Sequence, residues 1–199
     1  ENIVHVTEWI KKKAIENGGD PERETLTVVS AKDGKPYHVD GKGQYWRVYL
    51  FVEGTTSYDK VEKPSDFYES AVSFGHFQRQ LADFPAKSLH ETIPDFHNTA
   101  KRFETFQKAV AADVCGRAAS VKEEIQFVLD HEAFAHTLCD LEAAGKIPTR
   151  VTHNDTKLNN ILIDNATGKG ICVIDLDTVM PGLAVNDFGD SIRFGASTG

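Results

Sequence analysis

The stretch His153-Asn154-Asp155-Thr156-Lys157-Leu158-Asn159-Asn160 gathers a carboxylate, a lysine and amides on one polar loop, and an acid able to bind metal, Asp175, follows one hairpin later. Phosphoryl transfer asks a protein for those parts. An acceptor hydroxyl must be oriented and lose its proton, and a cation such as Mg²⁺ must neutralise the triphosphate, so positioning and charge compensation do most of the catalysis. Taken singly, a loop histidine or aspartate is structural or solvated as a rule; His153, Asp155, Asn160 and Asp175 carry the signal by occurring in this order with a hairpin between them. Asp177, two residues beyond Asp175, has two readings. If the strand continues it shares a face with Asp175 and is a second metal ligand; otherwise it is a loop carboxylate that accepts backbone hydrogen bonds. His97, in Pro94-Asp95-Phe96-His97, reads as a helix-terminus group.

The loop has to be held by its neighbours. Val151 leads into it, and the apolar runs Ile161-Leu162-Ile163 and Ile171-Cys172-Val173-Ile174, joined by Asp164-Asn165-Ala166-Thr167-Gly168, predict a hairpin that Asp175 ends. Upstream the period is helical. Phe67, Ala71, Phe74 and Leu81 form one stripe, with Ser65 or Asp66 as N-cap, and Phe96, Ala100, Phe103 and Val110 form another from about Asp95. Ser120 and Glu123 read as a capping box for a third helix carrying Ile125, Val128, Ala135 and Leu138, closed by Gly145 and Pro148. The phenylalanines sit at core spacing. Before these helices, strands are expected over Leu26–Ser30, Tyr37–Val39 and Tyr45–Val52, with Trp46, Val48, Leu50 and Val52 on one face. Gly41-Lys42-Gly43 between them is a hairpin turn; no third glycine or helix follows to make it a phosphate loop. The chain opens on Glu1 in what reads as a helix in progress, ended by Gly18-Gly19-Asp20-Pro21, which predicts a natural start further upstream.

His-x-Asp, an Asn five residues after the Asp, and a strand pair ending in Ile-Asp resemble the catalytic loop of protein-kinase-like phosphotransferases of the aminoglycoside-phosphotransferase type. The resemblance implies that Asp155 accepts or orients the acceptor hydroxyl, that His153 braces the loop, and that Asn160 and Asp175 hold magnesium against the nucleotide phosphates. It places Lys157 near the transferred phosphate, as in serine/threonine protein kinases, and makes Asp187, within Asn186-Asp187-Phe188-Gly189-Asp190, a buried acid that steadies the loop. More narrowly, Thr152 to Asn160, Val173 to Gly182 and Asn186 to Asp190 look like the N-acetylhexosamine 1-kinases, and Trp46 to Gly54 fits the last sheet strand and hinge of that group. That implies ATP-dependent phosphorylation of the anomeric hydroxyl of N-acetylglucosamine or N-acetylgalactosamine, with adenine bound by the hinge backbone near Glu53. The implied architecture is an α+β, two-lobed protein-kinase-like fold truncated at both ends, with residues 1–54 as a partial N-lobe and 55–199 as a partial C-lobe.

Members of that fold carry a glycine-rich phosphate loop and a strand lysine that this sequence does not contain, so the polypeptide alone is expected to be inactive. Exposed sheet edge predicts self-association. Other readings remain open: a kinase of the same fold for choline, homoserine or an aminoglycoside, or a retired nucleotide-binding module, against which intact Asp155, Asn160 and Asp175 argue. Composition narrows the field further. Thirty acidic against 22 basic residues, a net charge of −8 and no basic stripe argue against nucleic acid. The three cysteines are scattered without C-x-x-C spacing, no apolar run approaches the ~20 residues that cross a bilayer, and no targeting pattern opens the chain, so a cytoplasmic protein without membrane partners is expected.

Overall fold

A computed structural model describes residues 1–196, which divide into two compact units, one of Glu1–Thr92 with the chain from Arg150 onward and one of Ile93–Thr149. In the first, helix α1 (Asn2–Glu16) buries Ile3, Val6, Ile10 and Ala14. These positions recur every three or four residues and fall on one stripe. After α1, Gly18 takes φ of +73°, which a residue without Cβ reaches at little cost. Helix α2 (Pro64–Gln80) turns Phe74 and Phe77 inward. It starts at the N-cap Lys63, earlier than the expected Ser65 or Asp66: Pro64 fits the first helical position, and the Asp66 carboxylate reaches back to accept the amides of Glu62 and Lys63.

The predicted hairpin is present as β5 (Ile161–Asp164) and β6 (Gly170–Val173), antiparallel, with β3 (Thr55–Thr56) on the other side of β5. A second pair joins β4 (Arg150–Thr152) to β7 (Met180–Gly182), and helix α6 (Ala184–Gly195) follows β7. The core unites Val6 and Ile10 of α1, Phe74 and Phe77 of α2, and Ile161 and Cys172 of the hairpin. Helices thus cover one side of the hairpin that carries the candidate acids.

The strands expected between Leu26 and Val52 are mostly absent. Only β1 (His38–Val39) and β2 (Tyr45–Trp46) form, with an isolated bridge between Val28 and Tyr49. Hydrogen bonds from Val29 N to Val48 O and from Leu50 N to Thr27 O continue the pairing without a full ladder. On the face shared by Trp46, Val48, Leu50 and Val52, the first three are exposed; Tyr49, on the other face, packs against the core. Strands with one face in water and little to bury on the other are poorly specified and stay short.

The second unit contains α3 (Thr99–Ala112), α4 (Lys122–Asp130) and α5 (Glu132–Ala143). The expected start of α3 at Asp95 is corrected to Thr99, because Asp95 is left-handed (φ 59°) and Asn98 accepts the amide of Lys101 as the true N-cap. The expected Ser120 capping box is not formed. Ser120 ends a short 3-10 turn and donates its hydroxyl to Arg117 O, and α4 begins at Lys122. The single long helix expected there is two helices. The His131 ring engages Phe127 O, the carbonyl that the His131 amide would take in an unbroken helix, and the chain breaks at that residue.

Candidate functional site

The loop after β4 is shaped from beneath by α6. Asp187, 2% exposed, accepts the amide of His153 on one oxygen (2.9 Å) and that of Asn154 on the other (2.8 Å), and Gln78 of α2 donates to it as well (3.2 Å). Burial pushes the Asp187 carboxyl pKa up, and the two amides and Gln78 oppose the rise. One helical turn later Asp190 accepts the amide of Thr156 (2.9 Å), whose hydroxyl donates to Asp187 O (2.7 Å). Two carboxylates spaced i, i+3 on one helix therefore secure three amides that flank Asp155. Asp190 was missed in the sequence, although its spacing from Asp187 places both on one helix face.

His153 is fully buried, with Phe74 and Phe77 presenting their rings edge to face at 5.3 and 5.9 Å. Its Nε2 lies 2.8 Å from Ile174 O, so that nitrogen carries the proton, and Nδ1 accepts the amide of Asp155 (3.3 Å). The imidazole thus joins the end of the hairpin to the backbone of Asp155. Asn154, left-handed at φ 69°, donates to Thr178 O (2.8 Å), and Thr178 returns a hydrogen bond to His153 O (2.6 Å).

Asp155, Lys157 and Asn160 converge. Asp155 Oδ2 accepts from Lys157 Nζ (2.8 Å) and from Asn160 Nδ2 (3.1 Å), and Asn160 Nδ2 also reaches Asp155 O (2.8 Å). Among the described residues no donor reaches Asp155 Oδ1 or occupies the Asn160 side-chain oxygen. The hydrogen bond to Asp155 raises the Lys157 pKa against the opposing effect of burial, and the charges of Asp155, Asp175 and Asp190 add to the rise. Asp175 follows β6 in the left-handed region (φ 58°, ψ 55°), which no β-branched residue would adopt readily, and a 3-10 turn over Leu176–Thr178 comes next.

Two of the expected residues engage other partners. The Asp177 carboxylate faces Arg47 Nη2 at 2.5 Å. Glu53 precedes β3, which pairs with the Ile163–Asp164 end of β5, so it sits at the opposite end of the hairpin from Asn160. Its carbonyl accepts from Arg23, whose other terminal nitrogen pairs with Asp164 (2.7 and 2.8 Å). Arg23 and Arg47 carried no local signal in the sequence; their carboxylate partners, Asp164 and Asp177, are more than a hundred residues away. Among the described residues no group of three or more His, Cys, Asp or Glu side chains is placed to hold a metal. Asp175 with the Asn160 amide oxygen is a sparse, hard oxygen set, which fits Mg²⁺ because that ion keeps waters and takes phosphate oxygens as further ligands.

The sequence profile of the APH phosphotransferase enzyme family matches residues 17–199. This chain belongs to that family. Its kinase-like α+β architecture of helices and small antiparallel sheets is the family's fold. A solved structure of a microcompartment-associated aminopropanol kinase is similar over 96% of this chain, at 18% identity and a TM-score of 0.46. The chain spans 57% of that protein's length. Among the described residues no helix of this family member is long and apolar enough to cross a membrane.

Proposed function

We propose that the protein is an ATP-dependent small-molecule kinase that phosphorylates the anomeric hydroxyl of N-acetylhexosamines. The observation that carries this is the Asp155 carboxylate, with Lys157 and Asn160 on one oxygen and the other open to an acceptor hydroxyl. Asp155 orients that hydroxyl and takes its proton as the bond to phosphorus forms. Its two donors hold the carboxylate in one rotamer, so the proton acceptor is positioned before substrate arrives. Lys157 offsets charge on the transferred phosphoryl group. Asp175 and the side-chain oxygen of Asn160 hold Mg²⁺, which when bound neutralises the nucleotide phosphates. His153 and Asp187 keep the loop in shape.

The hinge backbone near Glu53, beside the proposed lobe boundary between 1–54 and 55–199, receives adenine. Four residues of β5 at ~3.3 Å each put that end of the hairpin on the order of 10 Å from Asn160, a span suited to an extended nucleotide. The choice of an N-acetylhexosamine rests on the three sequence stretches around Asp155, Asp175 and Asp187; a kinase for another small alcohol would use the same loop.

The test is ATP consumption by the full-length protein with N-acetylglucosamine and N-acetylgalactosamine, beside choline, homoserine and an aminoglycoside. Sugar-dependent turnover that falls about 10²- to 10⁴-fold in Asp155→Asn is the expected outcome. Turnover with choline alone would move the substrate and keep the chemistry; turnover undiminished in Asp155→Asn would overturn the role of Asp155.

A further inference from the structure

Asp177 meets the condition for a second metal ligand only if the β6 strand runs on past Asp175. It does not. β6 ends at Val173, Asp175 is left-handed, and Leu176–Thr178 form a 3-10 turn. In a 3-10 turn successive side chains are about 120° apart, so a residue two positions on leaves the face that a strand would have kept. The Asp177 carboxylate already has a cationic partner in Arg47 Nη2, at 2.5 Å. Arg47 is itself held in place, its guanidinium over the Tyr49 ring at 5.2 Å. Tyr49 packs against the core. No third acid joins Asp175 and Asp177 to make a metal cluster among the described residues.

Building on the proposed kinase reaction, we infer that Arg47 and Asp177 form a positioning pair that ties the run leading into the hinge to the turn carrying Asp175, and that Asp177 is not a metal ligand. The run Tyr45–Val52 has almost no sheet ladder to fix it: β2 spans two residues, and a single bridge joins Val28 to Tyr49. The ion pair supplies a tether at the acid end of the hairpin, as Arg23 supplies one at the other end through Glu53 O and Asp164. The two arginines bracket the stretch along which the nucleotide is proposed to lie. Arg47 and Asp177 are positioning residues acting through Tyr49 and the 176–178 turn.

A charge swap separates this from metal ligation. Arg47→Asp, Asp177→Arg, their double variant and Asp177→Asn are compared with the natural protein by urea unfolding, by ADP affinity and by Mn²⁺ binding in the presence of ADP, followed by electron paramagnetic resonance, with Asp175→Asn as control. A pair with exposed atoms predicts small effects: each single change weakens ADP binding about two- to five-fold, the double variant recovers most of that and of the unfolding midpoint, and Asp177→Asn leaves Mn²⁺ affinity within about five-fold. Loss of Mn²⁺ in Asp177→Asn as deep as in Asp175→Asn, with no recovery in the double variant, overturns the inference. Should Asp175→Asn leave Mn²⁺ binding intact, the metal assignment of the proposed function fails instead, and recovery of the unfolding midpoint in the swap still decides the pairing.

Discussion

Asp187 satisfies two backbone amides of the loop around Asp155 from a position that is 2% exposed, and this makes it the most consequential residue that does not touch substrate in the proposed reaction. Asparagine there would turn an NH₂ toward one of the two N–H donors and leave that donor unsatisfied, so Asp187→Asn is expected to cost about 1–3 kcal/mol, measured by urea unfolding. The cost depends on pH with a definite sign. Burial raises the Asp187 pKa above its ordinary 3.8, so between that value and the raised one the folded protein binds more protons than the unfolded chain. Stability from this group is therefore fully present below about pH 3.8 and declines as pH rises through the folded pKa. Asp187→Asn lacks that dependence, and its deficit relative to the natural protein should be largest at the acid end and narrow toward neutrality. Unfolding midpoints from pH 4 to 7 that keep a constant separation would contradict this. At the same scale, the loop residues His153, Asp155, Lys157 and Asn160 were legible because their spacing is local, whereas Arg47, Arg23 and Asp190 entered through contacts with distant chain.

The β5–β6 hairpin owes its placement to a close approach between β6 and α2. A Cβ on Gly170 would stand 1.9 Å from Ser73 Oγ, 3.2 Å from an Ile161 methyl and 3.3 Å from Glu69 O. Backbone cannot retreat without shifting α2, so Gly170→Ala is expected to destabilise by about 1–3 kcal/mol, visible as a lowered thermal midpoint. Ser73→Ala removes the nearest atom, and the double variant should regain part of the loss; no recovery would place the conflict in the Glu69 backbone. The hairpin and α1 were readable from periodicity because each has one face to bury. The run from Leu26 to Val52 was over-read as strands, since alternation of apolar residues there does not correspond to a buried face: Trp46, Val48 and Leu50 are exposed, while on the other face Tyr49 packs against the core and Arg47 pairs with Asp177 at the surface. Side-chain choice at the helix starts was also misjudged, at Lys63, Asn98 and Lys122, where a proline, a left-handed aspartate and a 3-10 turn decide the boundary.

Across the molecule, burial is unevenly shared. The unit made by Glu1–Thr92 and the chain from Arg150 holds nearly all of the buried apolar side chains, while in Ile93–Thr149 Phe103 is the buried one among the described residues. Local opening costs less where fewer apolar contacts are lost, so amides of α3, α4 and α5 should exchange with deuterium at least tenfold faster than those of α2 and the β5–β6 hairpin. Equal protection in both units, followed by mass spectrometry, would argue that they open together. The sequence alone determined that a carboxylate, a lysine, an amide and a second acid stand in the order a phosphotransferase uses, on a loop followed by a hairpin, because those relations span few residues and follow from period and turn chemistry. Only the tertiary structure decided which carboxylates are spoken for. Asp187 and Asp190 are held under the loop by its own amides, and Asp177 is turned aside to Arg47 by the left-handed step at Asp175. A carboxylate's role depends on the partner that folding brings to it, and Arg47 arrives from 130 residues away in the chain.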